Sequence, residues 1–116
     1  MTRKAQQDLT DDAFEMIAAR FRALSEPTRL KILHVLGRGE MSVGEIVEQT
    51  HTGQANVSKH LGLLLDAGIV SRRKVGLQAI YKVTDDGIFE LCDTVCSSLG
   101  ERLAAQQRAV KGFRRA

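Results

Sequence analysis

A chain of 116 residues, 43% of them hydrophobic and 27% charged, fits one soluble domain and leaves little room for a second. A net charge of only +3 permits a nucleic-acid partner without demanding one, and two cysteines are too few for a disulfide-built scaffold. The opening MTRKAQQDLTDD has no apolar core and no apolar run approaches membrane-spanning length, so the expectation is a cytoplasmic protein with no secretory signal and no membrane partner.

Residues 1–9 are expected to be a flexible N-terminus, and residues 10–105 one folded domain. Thr10 caps a first helix whose first turn carries Asp11 and Asp12, acids suited to the helix dipole. Phe14, Ile17, Ala18, Phe21 and Leu24 form its apolar stripe. Ser25-Glu26-Pro27 ends that helix and opens a second, with proline in the tolerated first position. Leu30, Ile32, Leu33, Val35 and Leu36 make the second helix apolar nearly all round, so it belongs at the centre of the domain, and His34 reads as a packed residue. Gly37 and Gly39 end it.

From Met41 to Lys82 the elements follow a particular order. Ser42 and Glu45 form a capping box flanked by Met41 and Ile46 at staple positions, opening a short helix that ends near Thr50. His51-Thr52-Gly53 is a turn, with Thr52 or Gly53 capping the next helix. There Val57, Leu61, Leu64 and Leu65 share one face while Gln54, Asn56 and Lys59 point elsewhere, and Gly68 supplies the left-handed stop. Ile69-Val70 and Ala79-Ile80-Tyr81 flank Val75-Gly76-Leu77, a hairpin with glycine at its tip. Helix, turn, helix and hairpin make a winged helix-turn-helix. The fold class expected is therefore mainly α with a small β-hairpin wing.

Charge is sorted by segment. Between His51 and Lys82 the only acid is Asp66, against Lys59, Arg72, Arg73, Lys74 and Lys82. Asp85 and Asp86 then cap a last helix with the stripe Ile88, Leu91, Cys92, Val95, Leu99 and Leu103. Residues 106–116 read as a basic tail that frays. The first and last helices exceed what so small a core needs, and a second copy of the chain is the simplest cover for their apolar faces. A twofold homodimer would set two recognition helices about 34 Å apart, the spacing of successive major-groove faces on duplex DNA.

LSEPTRLKIL (residues 24–33), NVSKHLGLLLDAGIV (56–70) and AIYKV (79–83) together resemble the ArsR/SmtB family of bacterial repressors, over about residues 14 to 103. The resemblance implies a homodimeric winged-helix repressor, released from double-stranded operator DNA by an effector. It places the family's recognition-helix pattern on Gln54, Ala55, Asn56, Ser58, Lys59 and His60. The arsenic sensors of the family carry a cysteine pair in the first helix of the DNA-reading unit, where this chain reads VGEIVEQT. Its zinc sensors use an acid and histidines on the last helix, where this chain has Asp85, Gly87, Ser98 and Glu101.

Gln54 and Asn56 suit adenine edges and Lys59 suits guanine. The alternative for each is a solvated helix face. Ser58 and His60 could reach phosphate, or His60 could pack at the helix junction. Arg72, Arg73, Lys74 and Gln78 surround the wing tip, where cations touch phosphate and minor groove or simply keep an edge strand soluble. Cys92 and Cys96 stand one helical turn apart. They read either as a sensor of arsenite, another thiophilic ion or a thiol-reactive species, or as a small hydrophobe and its neighbour. No resident cofactor is called for. A regulator without metal or redox sensing and a winged-helix protein-interaction module stay open as alternatives. A thiol enzyme lacks a histidine near either cysteine in sequence.

Overall fold

The computed structural model describes the backbone of residues 8–115 and side chains as far as Arg108. Most of the N-terminal segment expected to be flexible lies outside the described residues. The chain divides at Thr84–Asp85 into two compact units. The first holds α1 (Asp11–Leu24), α2 (Pro27–Leu36), β1 (Met41–Ser42), α3 (Val43–Thr50), α4 (Gln54–Asp66), β2 (Val70–Val75) and β3 (Gln78–Val83), and the second holds α5 (Gly87–Arg115).

Local chemistry sets the boundaries. The Thr10 hydroxyl accepts from Ala13 N at 3.1 Å and starts α1. Glu26 caps α2, its carboxylate accepting from Arg29 N at 3.1 Å, with Pro27 in the first turn. Both arms of the Ser42–Glu45 capping box form, at 3.1 and 3.2 Å, so two free amides of α3 are satisfied reciprocally. His51 ends α3 in the left-handed region at φ 55°, a conformation that costs a side-chain-bearing residue about 1–2 kcal/mol. Gly53, not Thr52, caps α4, and the Thr52 hydroxyl turns back to the Thr50 carbonyl at 3.3 Å.

The end of α4 is a Schellman closure. Gly68 N donates to the Leu65 carbonyl and Ile69 N to the Leu64 carbonyl, each at 3.0 Å, with Gly68 at φ 73°. Leu64 and Ile69, the apolar pair that accompanies such a closure, are both fully buried. The chain thus leaves the helix directly into β2. The hairpin turns at Gly76, whose φ of 64° at the first of two central positions is what a type II′ turn requires.

The core of this unit comes from Ile32, Leu33, Ile46, Val57, Leu61, Leu64 and Ile69, the large side chains most completely withdrawn from solvent. Each contributes roughly 1.5–3 kcal/mol of apolar burial. Three features depart from the sequence reading. The two-residue β1 pairs with β3, Met41 opposite Tyr81 and Ser42 opposite Ile80, making a three-stranded antiparallel sheet in the order β1-β3-β2. Only one side of α2 is buried: Leu30 and His34 share the exposed side with Lys31, so His34 is not a packed residue. The last helix does not give way at Gln106 but runs on through Arg115. Ala104, Ala105, Gln106 and Gln107 are strong helix formers, and the basic residues beyond them suit a helix C-terminus. At its start the Asp85 carboxylate accepts from Gly87 N at 3.0 Å.

Candidate nucleic-acid interface

The first two turns of α4 separate cleanly into two sides. Gln54, Ala55, Asn56, Ser58 and Lys59 are exposed, whereas Val57 and Leu61 are buried. Packing of α4 against α2 and α3 therefore fixes the azimuth of the helix and leaves its polar face outward. Gly53 offers no side-chain oxygen to the first turn, so the amides of Gln54, Ala55 and Asn56 are left as donors at the positive end of the helix dipole. Such an end suits phosphate, and the side chains beside it suit base edges.

His60 does not belong to that face. It is only 7% exposed and lies on the inner side of α4, beside the buried Leu61 and on the same side as Val57 and Leu64. Its Nδ1 lies 3.1 Å from Arg29 Nη1, and its Nε2 lies 3.4 Å from Glu26 Oε2. Held from both sides by α2 and its cap, the imidazole is turned away from the outward face of α4 and packs at the helix junction, the second of the two readings the sequence offered for His60. The Glu26 carboxyl is held below the ordinary carboxylate range first by the backbone N–H of Thr28; loss of solvation opposes this, and the backbone N–H and the charge of Arg29 add to it. A depressed carboxyl adds stability above its unfolded pKa and loses it as pH falls through the folded value, so this cap weakens only in acid.

In the wing, cross-strand pairing sorts the polar residues. Arg72 sits opposite Tyr81 and Lys74 opposite Ala79, while Arg73 sits opposite Ile80 and Gln78 opposite Val75. Arg72 and Lys74 thus share one face of the ribbon, Arg73 and Gln78 the other. All four are exposed. Arg73 is engaged, its Nη2 and Nε donating to Glu40 Oε2 at 2.9 and 3.1 Å. An exposed pair of this kind contributes at most about 1 kcal/mol, but it aims Arg73 along the protein surface. Leu77 at the tip is 100% exposed. Neither Glu40 nor Arg29 is legible as part of the site in the sequence, because their partners lie 33 and 31 residues away.

On α5, Cys92 is half-buried and Cys96 exposed, both as free thiols. Burial, and then the Asp93 carboxylate beside it, push the Cys92 thiol up and reduce its thiolate fraction at neutral pH. Among the described residues no group of three or more His, Cys, Asp or Glu is arranged to hold a metal ion.

Residues 26–72 match the family described as "Bacterial regulatory protein, arsR family". A probable mercury resistance operon repressor of Streptomyces lividans is 45% identical over 71 residues, which are 61% of this chain and 57% of that one. The biofilm growth-associated repressor of Xylella fastidiosa is 39% identical over 80 residues, 69% of either chain. Among solved structures, the homodimeric winged helix-turn-helix DNA-binding domain of a possible ArsR-family regulator from Mycobacterium bovis aligns with a TM-score of 0.73 at 27% identity, covering 87% of this chain and 94% of that domain.

The fold and the polar face of α4 define a winged helix-turn-helix DNA-binding protein, a regulator rather than an enzyme. The chain belongs to the ArsR family of transcriptional repressors.

Proposed function

We infer that the protein silences a promoter as a homodimer, with the exposed face of α4 from each protomer in a major groove and each wing beside the DNA backbone. The observation that carries this reading is the division of α4 itself, Gln54, Asn56 and Lys59 outward while Val57, Leu61 and Leu64 hold the helix from behind. Dimerisation is supported by the exposed stripes of Phe14, Ile17 and Phe21 on α1 and of Val95, Leu99 and Leu103 on α5. Among the described residues no helix is long and apolar enough to cross a membrane, and we place the protein in the cytoplasm with its DNA.

Two substitutions test the interface by different readouts on the promoter of its own gene. Asn56→Ala should relax base preference at one position of each half-site, by about 1–3 kcal/mol of discrimination for a bidentate contact. Arg72→Ala should weaken every sequence alike and flatten the dependence of log K on log salt by roughly one unit per protomer. Unchanged selectivity removes Asn56 from the interface; an unchanged slope removes Arg72. Weak duplex binding by the wild type with little salt dependence would favour a protein-interaction module instead.

Release by an effector is the second half of the proposal. Cys92 and Cys96 on one face of α5 are the candidate sensor, and a dimer would bring four thiols together for a soft ion such as arsenite or for thiol oxidation. The raised Cys92 thiol and the neighbouring Asp93 favour instead a regulator whose cysteines do not sense. Operator complexes titrated with arsenite, zinc and a persulfide donor separate these. Release of wild type but not of Cys92→Ser or Cys96→Ser makes the pair the sensor; no release by any agent leaves the cysteines as packing residues.

A further inference from the structure

The Arg29 side chain joins three helices. Its Nε donates to the Ala23 carbonyl at 2.7 Å and its Nη2 to the Arg22 carbonyl at 3.3 Å, both at the end of α1. Its Nη1 lies 3.1 Å from Nδ1 of His60, on the inner side of α4. A guanidinium can only donate, so Nδ1 accepts, and the ring proton falls to Nε2, which faces Glu26 Oε2 at 3.4 Å. Glu26 in turn caps α2 through Arg29 N. His60 follows directly on Lys59 and lies one turn beyond Asn56, so a displacement of the α4 backbone at His60 carries the outward residues with it.

These contacts use the guanidinium in three directions at once, with Nε satisfying the free Ala23 carbonyl and Nη2 joining the Ser25 N–H and hydroxyl on the Arg22 carbonyl. Lysine, a point charge on a flexible stem, could not hold that fork. The packing of Val57, Leu61 and Leu64 already secures α4 in the core, so the polar joint is not needed to bury the helix. What it adds is a fixed relation between the end of α1, whose apolar stripe is exposed, and the azimuth of the outward face of α4.

We propose that Arg29 and His60 are positioning residues for operator reading: the joint they form transmits the placement of α1 to the recognition helix, so that base selectivity depends on it. The proposal rests on the reading of α4 as the operator helix. It also gives the α1 face a route to control DNA affinity, since any rearrangement that withdraws the Arg22 and Ala23 carbonyls frees the guanidinium and with it the imidazole.

The test is a cycle of variants on the intact protein, measured against the operator and against a scrambled duplex at the same salt. Losing hydrogen bonds to a charged group should lower operator affinity about tenfold or more in Arg29→Gln and in His60→Leu, with affinity for scrambled DNA nearly unchanged. The double variant should be no worse than either single one, because both break the same joint. His60→Asn, whose carboxamide oxygen can take the place of Nδ1, should recover most of the selectivity with Arg29 present and none in the Arg29→Gln background. Thermal unfolding of each variant is followed in parallel. Additive effects, failure of His60→Asn to restore selectivity, or a falling unfolding midpoint with an unchanged operator-to-scrambled ratio would each overturn the joint and leave a purely structural contact. A wild type that does not prefer its operator over scrambled DNA would overturn the operator-helix reading itself, and the joint with it.

Discussion

Phe14→Glu is expected to convert a dimer into a monomer and to weaken operator binding by more than about a hundredfold. Phe14 is 56% exposed and Phe21 is 53% exposed in the isolated chain, with Ile17 between them on the same stripe of α1. Two aromatic rings and an isoleucine left in water on one helix face are the surface assigned to the partner in the proposed dimer. Fully burying a phenylalanine stabilises by about 1.5–3 kcal/mol, and Phe14 still exposes 56% of its surface, so the two copies in a twofold interface together forfeit roughly 2–3 kcal/mol. Two carboxylates then have to be desolvated in the same place, which adds to the loss. Every 1.4 kcal/mol is about tenfold in the dissociation constant, so the dimer should disappear at micromolar concentration.

The helix itself should survive that substitution. Glutamate is a good helix former, and position 14 lies near the N-terminal end of α1, where acids meet the positive end of the dipole. Light scattering on the eluting protein reports the mass, and circular dichroism reports the fold. Operator binding should fall because a monomer engages one half-site, while binding to a single half-site changes little. A Phe14→Glu protein that remains dimeric would move the interface away from α1 and leave the α5 stripe of Val95, Leu99 and Leu103 as its place.

Most of the winged unit is legible in the sequence because its boundaries are written in local chemistry. The Ser42–Glu45 box, Pro27 after Glu26 and Gly68 after Ala67 act on neighbouring backbone groups, and each closes as its residue types require. What the sequence does not reveal has a common cause. The pairing of β1 with β3, the Arg73–Glu40 ion pair and the Arg29–His60 joint all link residues at least 31 apart, and no periodicity encodes them. His60 illustrates the difficulty. It is preceded by the polar Ser58 and Lys59, and its residue type suits phosphate, yet helical phase turns it inward to a partner on α2. His34 shows the converse, a polar residue among buried neighbours that helical phase carries to the solvent side. The exposure of Gln54, Ala55, Asn56, Ser58 and Lys59 is legible because it follows from the burial of Val57 and Leu61, which the apolar pattern does encode.

The same helix allows contact loss to be told from fold loss. Leu61 is fully buried on the inner face of α4, and Leu61→Ala should lower unfolding stability by about 2–5 kcal/mol through lost burial and the cavity left behind. A domain of this size holds roughly 5–15 kcal/mol in all, so the variant should be close to the edge of stable folding. Its urea midpoint should fall with little change in slope, measured at matched protein concentration so that the proposed dimerisation weighs equally on each variant. Its preference among bases should nevertheless remain that of the wild type. Preference is a ratio of affinities, and a smaller folded fraction divides both alike. Asn56→Ala, on the outward face of the same helix, should do the opposite, changing the ratio by about 1–3 kcal/mol while the urea midpoint barely moves, as for most exposed substitutions. If Leu61→Ala altered base preference as much as Asn56→Ala did, the inner packing would be setting specificity directly. A stability loss below about 1 kcal/mol would mean that the site collapses around the smaller side chain, and that α4 is held less firmly than the burial of Val57, Leu61 and Leu64 requires.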